Sequence, residues 1–463
     1  MSSNITGYRT GAQLGLGIDV LKNVQSASER QVQPGRVRFR PYQVKQLGLF
    51  PVELDALLPE EHLVFFVMDA IAHLNRSGIL SKYESKSGFG RSPYDPVMMV
   101  TLIVYCHCRG TKSSRGIEAM LTEHIPCRVI AGNEKPDHDT IDDFRRRHLE
   151  ELGALFQQVL QLADTAGLVG LDRVAVDGSK VKAFASKRKA MSYERMCKRV
   201  QELPKVISDL QDKLAKLQNN DDLKSQKECS QLQHEIIFQA KRLSRIESHK
   251  RGLERRVKES RGGKPEPKDQ INFTDPESNI MHRSGKTFEQ GYNAQIVVDD
   301  VAQIIVAQDV VRDNNDKKQL ISMLNQAKRN LGRTPRSALA DNGYFSEENL
   351  KHQALEEIDL FIPPAKKQQE SDKVTTIGRL PANISPTDRM RRKLSTKAGK
   401  EVYKMRKCIV EPVFGQMKTS VLNFANFSFR GLKKVKAEWG LACACHNLLK
   451  IFRSGYRFAP STA

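Results

Sequence analysis

Eight cysteines in 463 residues are too few for a disulfide scaffold. Neither Cys106-His107-Cys108 nor Cys443-Ala444-Cys445-His446 has the CxxC gap with which two thiolates grip one zinc ion, so both clusters read as thiols buried on helices in a reducing compartment. No stretch approaches the roughly 20 apolar residues of a membrane span, and the opening MSSNITGYRTGAQLG lacks the apolar run of about 7–15 residues that marks a signal peptide. The expectation is a cytoplasmic protein with no membrane partner. Acidic side chains are in deficit, 54 against 75 lysines and arginines, which leaves a net charge of +21. That excess exceeds what solubility requires and attracts polyanions, nucleic acid above all, although a basic protein of another class would share it.

Residues 1–38 show no periodicity and read as a poorly ordered arm. Over 39–152 apolar residues such as Leu63, Phe66, Ile71 and Leu74 recur at helical spacing, Pro96 opens an apolar helix, and Asp139 or Thr140 is the expected N-cap before Arg145-Arg146-Arg147. This region is an all-helical N-terminal domain, for DNA binding or for dimerisation. The character changes over Leu171-Asp172-Arg173-Val174-Ala175-Val176-Asp177-Gly178-Ser179-Lys180, where a short apolar β-branched run ends on an aspartate followed by glycine and reads as a strand with a carboxylate at its tip.

Leucines and isoleucines at spacings of three and four then predict a helical hairpin over 186–268, with 22 basic and 12 acidic side chains. Gly262-Gly263-Lys264-Pro265 closes it. Tyr292–Val298 and Ala302–Ala307 flank Asp299-Asp300 as a β-hairpin, 316–331 is an amphipathic helix, and Arg336-Ser337-Ala338-Leu339-Ala340-Asp341 is a second strand ending in aspartate. A helix over 346–357, a short strand over 359–363 and a helical region over 402–453 complete the pattern. The fold class is multidomain α and α/β: a helical N-terminal domain, and a mixed β-sheet core over 167–455 interrupted by the hairpin, with a tail at 456–463.

Cutting and joining phosphodiesters with two magnesium ions requires carboxylates converging from separate elements. Asp177 and Asp341 share the pattern of apolar strand, aspartate and nearby glycine, which taken singly is also the pattern of a turn. Glu411 is the best-placed third acid, because apolar neighbours surround it and unpaired burial would be costly. Pairing with Lys407, four residues earlier, would satisfy it equally well.

These residues resemble the bacterial insertion-sequence transposases of the Asp-Asp-Glu type, built on a ribonuclease H-like core. Pro136-Asp137-His138-Asp139-Thr140-Ile141-Asp142-Asp143-Phe144-Arg145 is similar to their helical N-terminal domain, Val174–Ser179 and Ala340–Tyr344 to their catalytic strands, and Thr274-Asp275-Pro276-Glu277-Ser278 to a segment before the paired strands. Tyr403, Arg406, Glu411 and Lys418 resemble the family's Tyr-Arg-Glu-Lys signature. Arg406 stands one residue too far from Glu411, whereas Lys407 has the expected separation of three, so either can fill the basic position. Pro412 implies a helix that begins or kinks there.

The resemblance implies that Asp177, Asp341 and Glu411 hold two Mg2+ ions, with Mn2+ as a substitute. Tyr403, Arg406 or Lys407, and Lys418 would position the DNA backbone, and Arg145, Arg146 and Arg147 would make further DNA contacts. The partners implied are double-stranded DNA, as terminal inverted repeats and target, and a second copy of the chain in at least a dimer. A nuclease on the same core that never joins strands, and a DNA-binding relative without catalysis, fit the same residues.

Overall fold

The computed structural model describes residues 54–84, 92–218, 223–283, 287–364, 378 and 383–458. The arm expected over 1–38 and the helix break expected at 219–222 lie outside them; so does most of 366–382, while the rest of that basic stretch, expected to lack periodicity as far as about Lys400, is helical from Pro386.

The helical N-terminal part contains α1 (Leu63–His73), α2 (Ser77–Glu84), α3 (Pro96–Cys108), α4 (Ser114–Glu123), α5 (Ile125–Ala131), α6 (His138–Arg147) and α7 (Leu149–Thr165). Described residues 76–84 and 92–96 belong to a unit of their own, in which α2 is the regular element. The rest of the described chain forms the other unit, which includes α3 from Val97 on. Proline, whose missing N–H costs nothing at a helix start, opens α3, and the helix is buried almost throughout. The N-cap of α6 is Asp137, not Asp139 or Thr140: its carboxylate accepts from the Thr140 N–H at 2.7 Å.

The mixed sheet is built from β1 (Arg173–Lys182), β4 (Asn279–Arg283), β5 (Thr287–Asp299), β6 (Ile305–Val311), β7 (Ser337–Ala340) and β8 (Asp359–Phe361). Its path is β4-β5-β1-β7-β8, and β6 also pairs with β5. The strands β1, β7 and β8 run parallel, while β4 and β6 are antiparallel to β5, and β5 to β1. Between β1 and β4 stand β2 (Ala190–Ser192), α8 (Tyr193–Leu217), α9 (Leu223–Arg261) and β3 (Gln270–Asn272). The two long helices pack on each other, and β2 pairs with β3 to close the insertion at its base. Met196, Leu203, Ile246, Leu253, Val257 and Ile271 give it a core of its own.

After β6 come α10 (Gln319–Leu331), β7, α11 (Glu347–Lys351), β8, α12 (Pro386–Ser395), α13 (Lys397–Gly415), a π-helical turn (Gln416–Ser420) and α14 (Leu432–Arg453). Asp316 is not part of α10, and the helix expected over 346–357 is cut to five residues plus a separate turn. Helix α14 runs along α7 and onto β6. A side chain at Gly153 would stand 2.8 Å from the Ala437 backbone, and one at Gly440 2.8 Å from the Gly153 carbonyl, so only glycine lets these helices touch backbone to backbone. The two Cys clusters meet here too: Cys108 Sγ donates to the Cys445 carbonyl and Cys445 Sγ to that of Val104, both at 3.8 Å.

Pro412 neither starts nor ends α13, which runs through it. Proline cannot donate to the carbonyl four residues earlier, that of Cys408. Gln303 in the β5–β6 turn supplies the missing donor, its Nε2 lying 2.8 Å from that oxygen. Gln303 is fixed in turn by Lys450 Nζ on its Oε1 at 2.7 Å and by His446 at its carbonyl. Gln303→Ala is therefore expected to lower stability by about 1 kcal/mol and to speed amide exchange around 408–412. Unchanged exchange there would show that water satisfies the carbonyl as well.

Candidate active site

The parallel pairing of β1 with β7 runs from Arg173↔Ser337 to Val176↔Ala340 and stops. The next residue on each chain is an aspartate. Asp177 and Asp341 thus emerge side by side from adjacent strands about 4.8 Å apart.

Asp177 is not at a strand tip, since β1 continues to Lys182 along β5 with Asp177 opposite Ile296. Gly178 is accordingly not a turn residue. A side chain there would stand 2.1 Å from Gln295 Nε2, so its smallness is what admits that amide. Gln295 Nε2 donates to Asp316 Oδ1 at 2.8 Å, Asn293 Nδ2 to the same oxygen at 2.6 Å, and Lys180 Nζ stands 3.3 Å from it. The Tyr344 hydroxyl donates to Gln295 Oε1. This polar layer was missed from sequence, although polar Asn293 and Gln295 inside the apolar run of β5 are the signal that could have revealed it.

Asp341 accepts from the Gly343 N–H at 2.8 Å and so caps the turn Asn342–Tyr344. Burial lifts the Asp177 carboxyl to about 6; a hydrogen bond from the Gly178 N–H and the nearby Arg406 pull it down, while Asp341 and Asp316 push it further up. Three carboxylates thus share one neighbourhood.

Helix α13 crosses β1, β5 and β7, and carries Tyr403 and Arg406 one turn apart. Arg406 is mostly buried. Its Nη1 lies 3.4 Å from Asp177 Oδ2 and its Nη2 3.6 Å from Glu411 Oε1, so one guanidinium joins the first and third acids. Tyr403 stands against Arg406, and burial raises its hydroxyl pKa.

Two sequence expectations are corrected here. Glu411 is not buried among apolar residues but 56% exposed, because Ile409, Val410 and Val413 occupy the core face of the helix. Its ion pair is to Arg406, and Lys407 points to solvent. As arranged, no three His, Cys, Asp or Glu among the described residues are disposed to hold a metal ion.

Lys418, in the π-helical turn, donates to the Ser179 hydroxyl two residues beyond Asp177. Of the arginine triplet, Arg145 is interior and cannot be a surface contact to DNA. It lies 5.1 Å over the Phe429 ring, near the buried Glu438. Arg146 is engaged within its own helix by Asp142 and Asp143, at 3.1 and 2.6 Å, and Arg147 is exposed.

A mixed sheet that sets two aspartates side by side on parallel neighbours, with a helix bringing a third acid across them, defines a ribonuclease H-like core. The family comparisons narrow that class. Residues 258–448 match the model of the "Transposase DDE domain", and 52–147 that of the "Transposase domain (DUF772)". The chain belongs to the insertion-sequence transposases of the DDE type, with an N-terminal transposase domain. The DDE match takes in Asp341 and Glu411 and begins after Asp177. No curated protein and no solved structure matches the chain. Transposases of this family bind DNA and use divalent metal ions. Among the described residues no single helix is long and apolar enough to cross a membrane.

Proposed function

We propose that this transposase cleaves the ends of its insertion sequence and joins the freed 3′-hydroxyls to target DNA, working as at least a dimer, with Asp177, Asp341 and Glu411 as its catalytic acids. The observation that carries the reading is the register of β1 and β7, which makes the two aspartates neighbours, together with the Arg406 guanidinium between Asp177 and Glu411. The three acids offer only hard oxygen donors, as Mg2+ prefers, and the burial that lifts Asp177 to about 6 is a cost that a cation beside it would remove. They are the residues that would hold two Mg2+ ions, which when bound supply an activated hydroxyl and neutralise the leaving oxygen.

The remaining roles belong to the chain itself. Arg406 is a bidentate donor that can exchange its carboxylates for a phosphate, and Tyr403 beside it and Lys418 on Ser179 extend the same face. None of the three reads a base; they fix the backbone.

Pre-cleaved element ends incubated with supercoiled target and Mg2+ should give joined product, lost in Asp341→Ala and in Glu411→Ala. Hydrolysis without any joined strand would replace the transposase reading with that of a nuclease. Full activity of Glu411→Ala would move the third acid elsewhere.

A further inference from the structure

Three exposed phenylalanine rings occur among the described residues, Phe184, Phe238 and Phe288, and all three line one groove. The groove consists of two cavities of about 650 and 770 Å³ that share Lys189 and Thr274. The first lies between the middle of α9 and the segment around β2, and holds Arg188, Lys189, Arg195, Lys241, Arg242 and Arg245, with no acidic side chain. The second follows the end of β1 and adds Lys182, Lys187 and Arg430 against Glu289, which stands 3.9 Å from Lys182. Nine cations face one carboxylate, and Arg430 lies 4.8 Å over the Phe184 ring.

We infer that this groove binds an unpaired DNA strand, its cations following the phosphates and its rings stacking on bases. The inference rests on the transposase reading and adds to it a site and the form of DNA it takes. Charge complementarity selects a polyanion. The rings select among polyanions. Phenylalanine has no donor or acceptor for a phosphate or a base edge, and in a duplex the base faces are covered by their neighbours. Only an unpaired strand presents faces on which three exposed rings can stack. The position suits this role, because β1 leads from Asp177 to Lys182, about 16 Å at roughly 3.3 Å per residue, and so joins the groove to the catalytic acids. Cutting one strand at a time leaves an end free to unpair there.

The test uses the full-length protein, a fluorescein-labelled 20-nucleotide oligo(dT) and a labelled duplex of the same length, with anisotropy read over a series of salt concentrations. Phe184→Ala and Phe238→Ala should each weaken oligo(dT) binding by at least about fivefold at every salt concentration, leaving duplex binding within about twofold. Arg242→Gln should instead flatten the salt dependence for the single strand. Equal weakening of single strand and duplex, or no weakening by either phenylalanine change, would overturn the inference. So would a shift in oligomeric state with DNA binding intact, which would make the groove a contact between copies. Asp341→Ala separates the two readings: it should abolish cutting and keep the oligo(dT) affinity, so active Asp341→Ala would count against the catalytic assignment alone.

Discussion

Asp177→Asn is expected to give a protein that cuts and joins nothing in Mg2+, yet is more stable than the parent in metal-free buffer above pH 6. With Asp177 in the proposed role of holding one of two metal ions, its loss would remove several kcal/mol of transition-state stabilisation and should cost at least about a thousandfold in rate. The stability gain has the same physical origin. Burial raises the Asp177 carboxyl from 3.8 to about 6, so the folded protein holds this proton more tightly than the unfolded chain does. The associated stability is complete below about pH 4 and is lost as pH rises through 6. Asparagine has no charge to desolvate, and should recover about 3 kcal/mol at pH 8 and almost nothing at pH 4. Chemical denaturation in EDTA at those two pH values checks this. A gain of equal size at both would mean that packing, not charge, is responsible.

The second large effect lies far from the acids. Glu438→Leu is expected to destabilise the protein by about 3–5 kcal/mol, the cost of breaking a buried ion cluster from one side. Glu438 is 1% exposed, and its carboxylate accepts from the Ser428 N–H at 2.9 and 3.0 Å and from that of Phe429 at 3.2 Å. Burial raises its pKa, against the pull of Arg145 and Lys112. Without it, two largely buried cations from the N-terminal helical region, Lys112 and Arg145, face each other with only Asp142 left to offset Arg145. Adding Arg145→Met to Glu438→Leu should restore part of the loss, since it removes one of them. If denaturation shows the losses of the two single variants simply adding, the cluster is not a unit.

The two strand aspartates were legible in the sequence because a strand is a local pattern, and the chemistry of a carboxylate after an apolar run is local too. What lay beyond local pattern was misread in characteristic ways. Glu411 has apolar neighbours in sequence, but a helix sends Ile409, Val410 and Val413 to one side and Glu411 to the other. Arg145 reads as surface charge in a basic triplet, yet its position on α6 faces the core, where a glutamate 293 residues later receives it. Asp316 and Gln295 meet only through the sheet, and the Cys408 carbonyl that Pro412 cannot bond finds its donor in Gln303, from a distant turn. The spacing ambiguity between Arg406 and Lys407 was real in sequence; in the fold, Arg406 is the one turned toward the acids.

The pairing of β2 with β3 joins Ala190 to Asn272 and Ser192 to Gln270, so the chain leaves the catalytic domain and returns to it at almost the same point. What hangs between carries its own apolar interior. Such a cassette can lengthen, shorten or be exchanged over evolutionary time without disturbing the register of a single strand in the sheet. The count of residues from Asp177 to Asp341 is therefore free to drift, while their separation in space is pinned by Val176↔Ala340. The family match opens at residue 258, at the far end of the cassette, and leaves the first aspartate outside it.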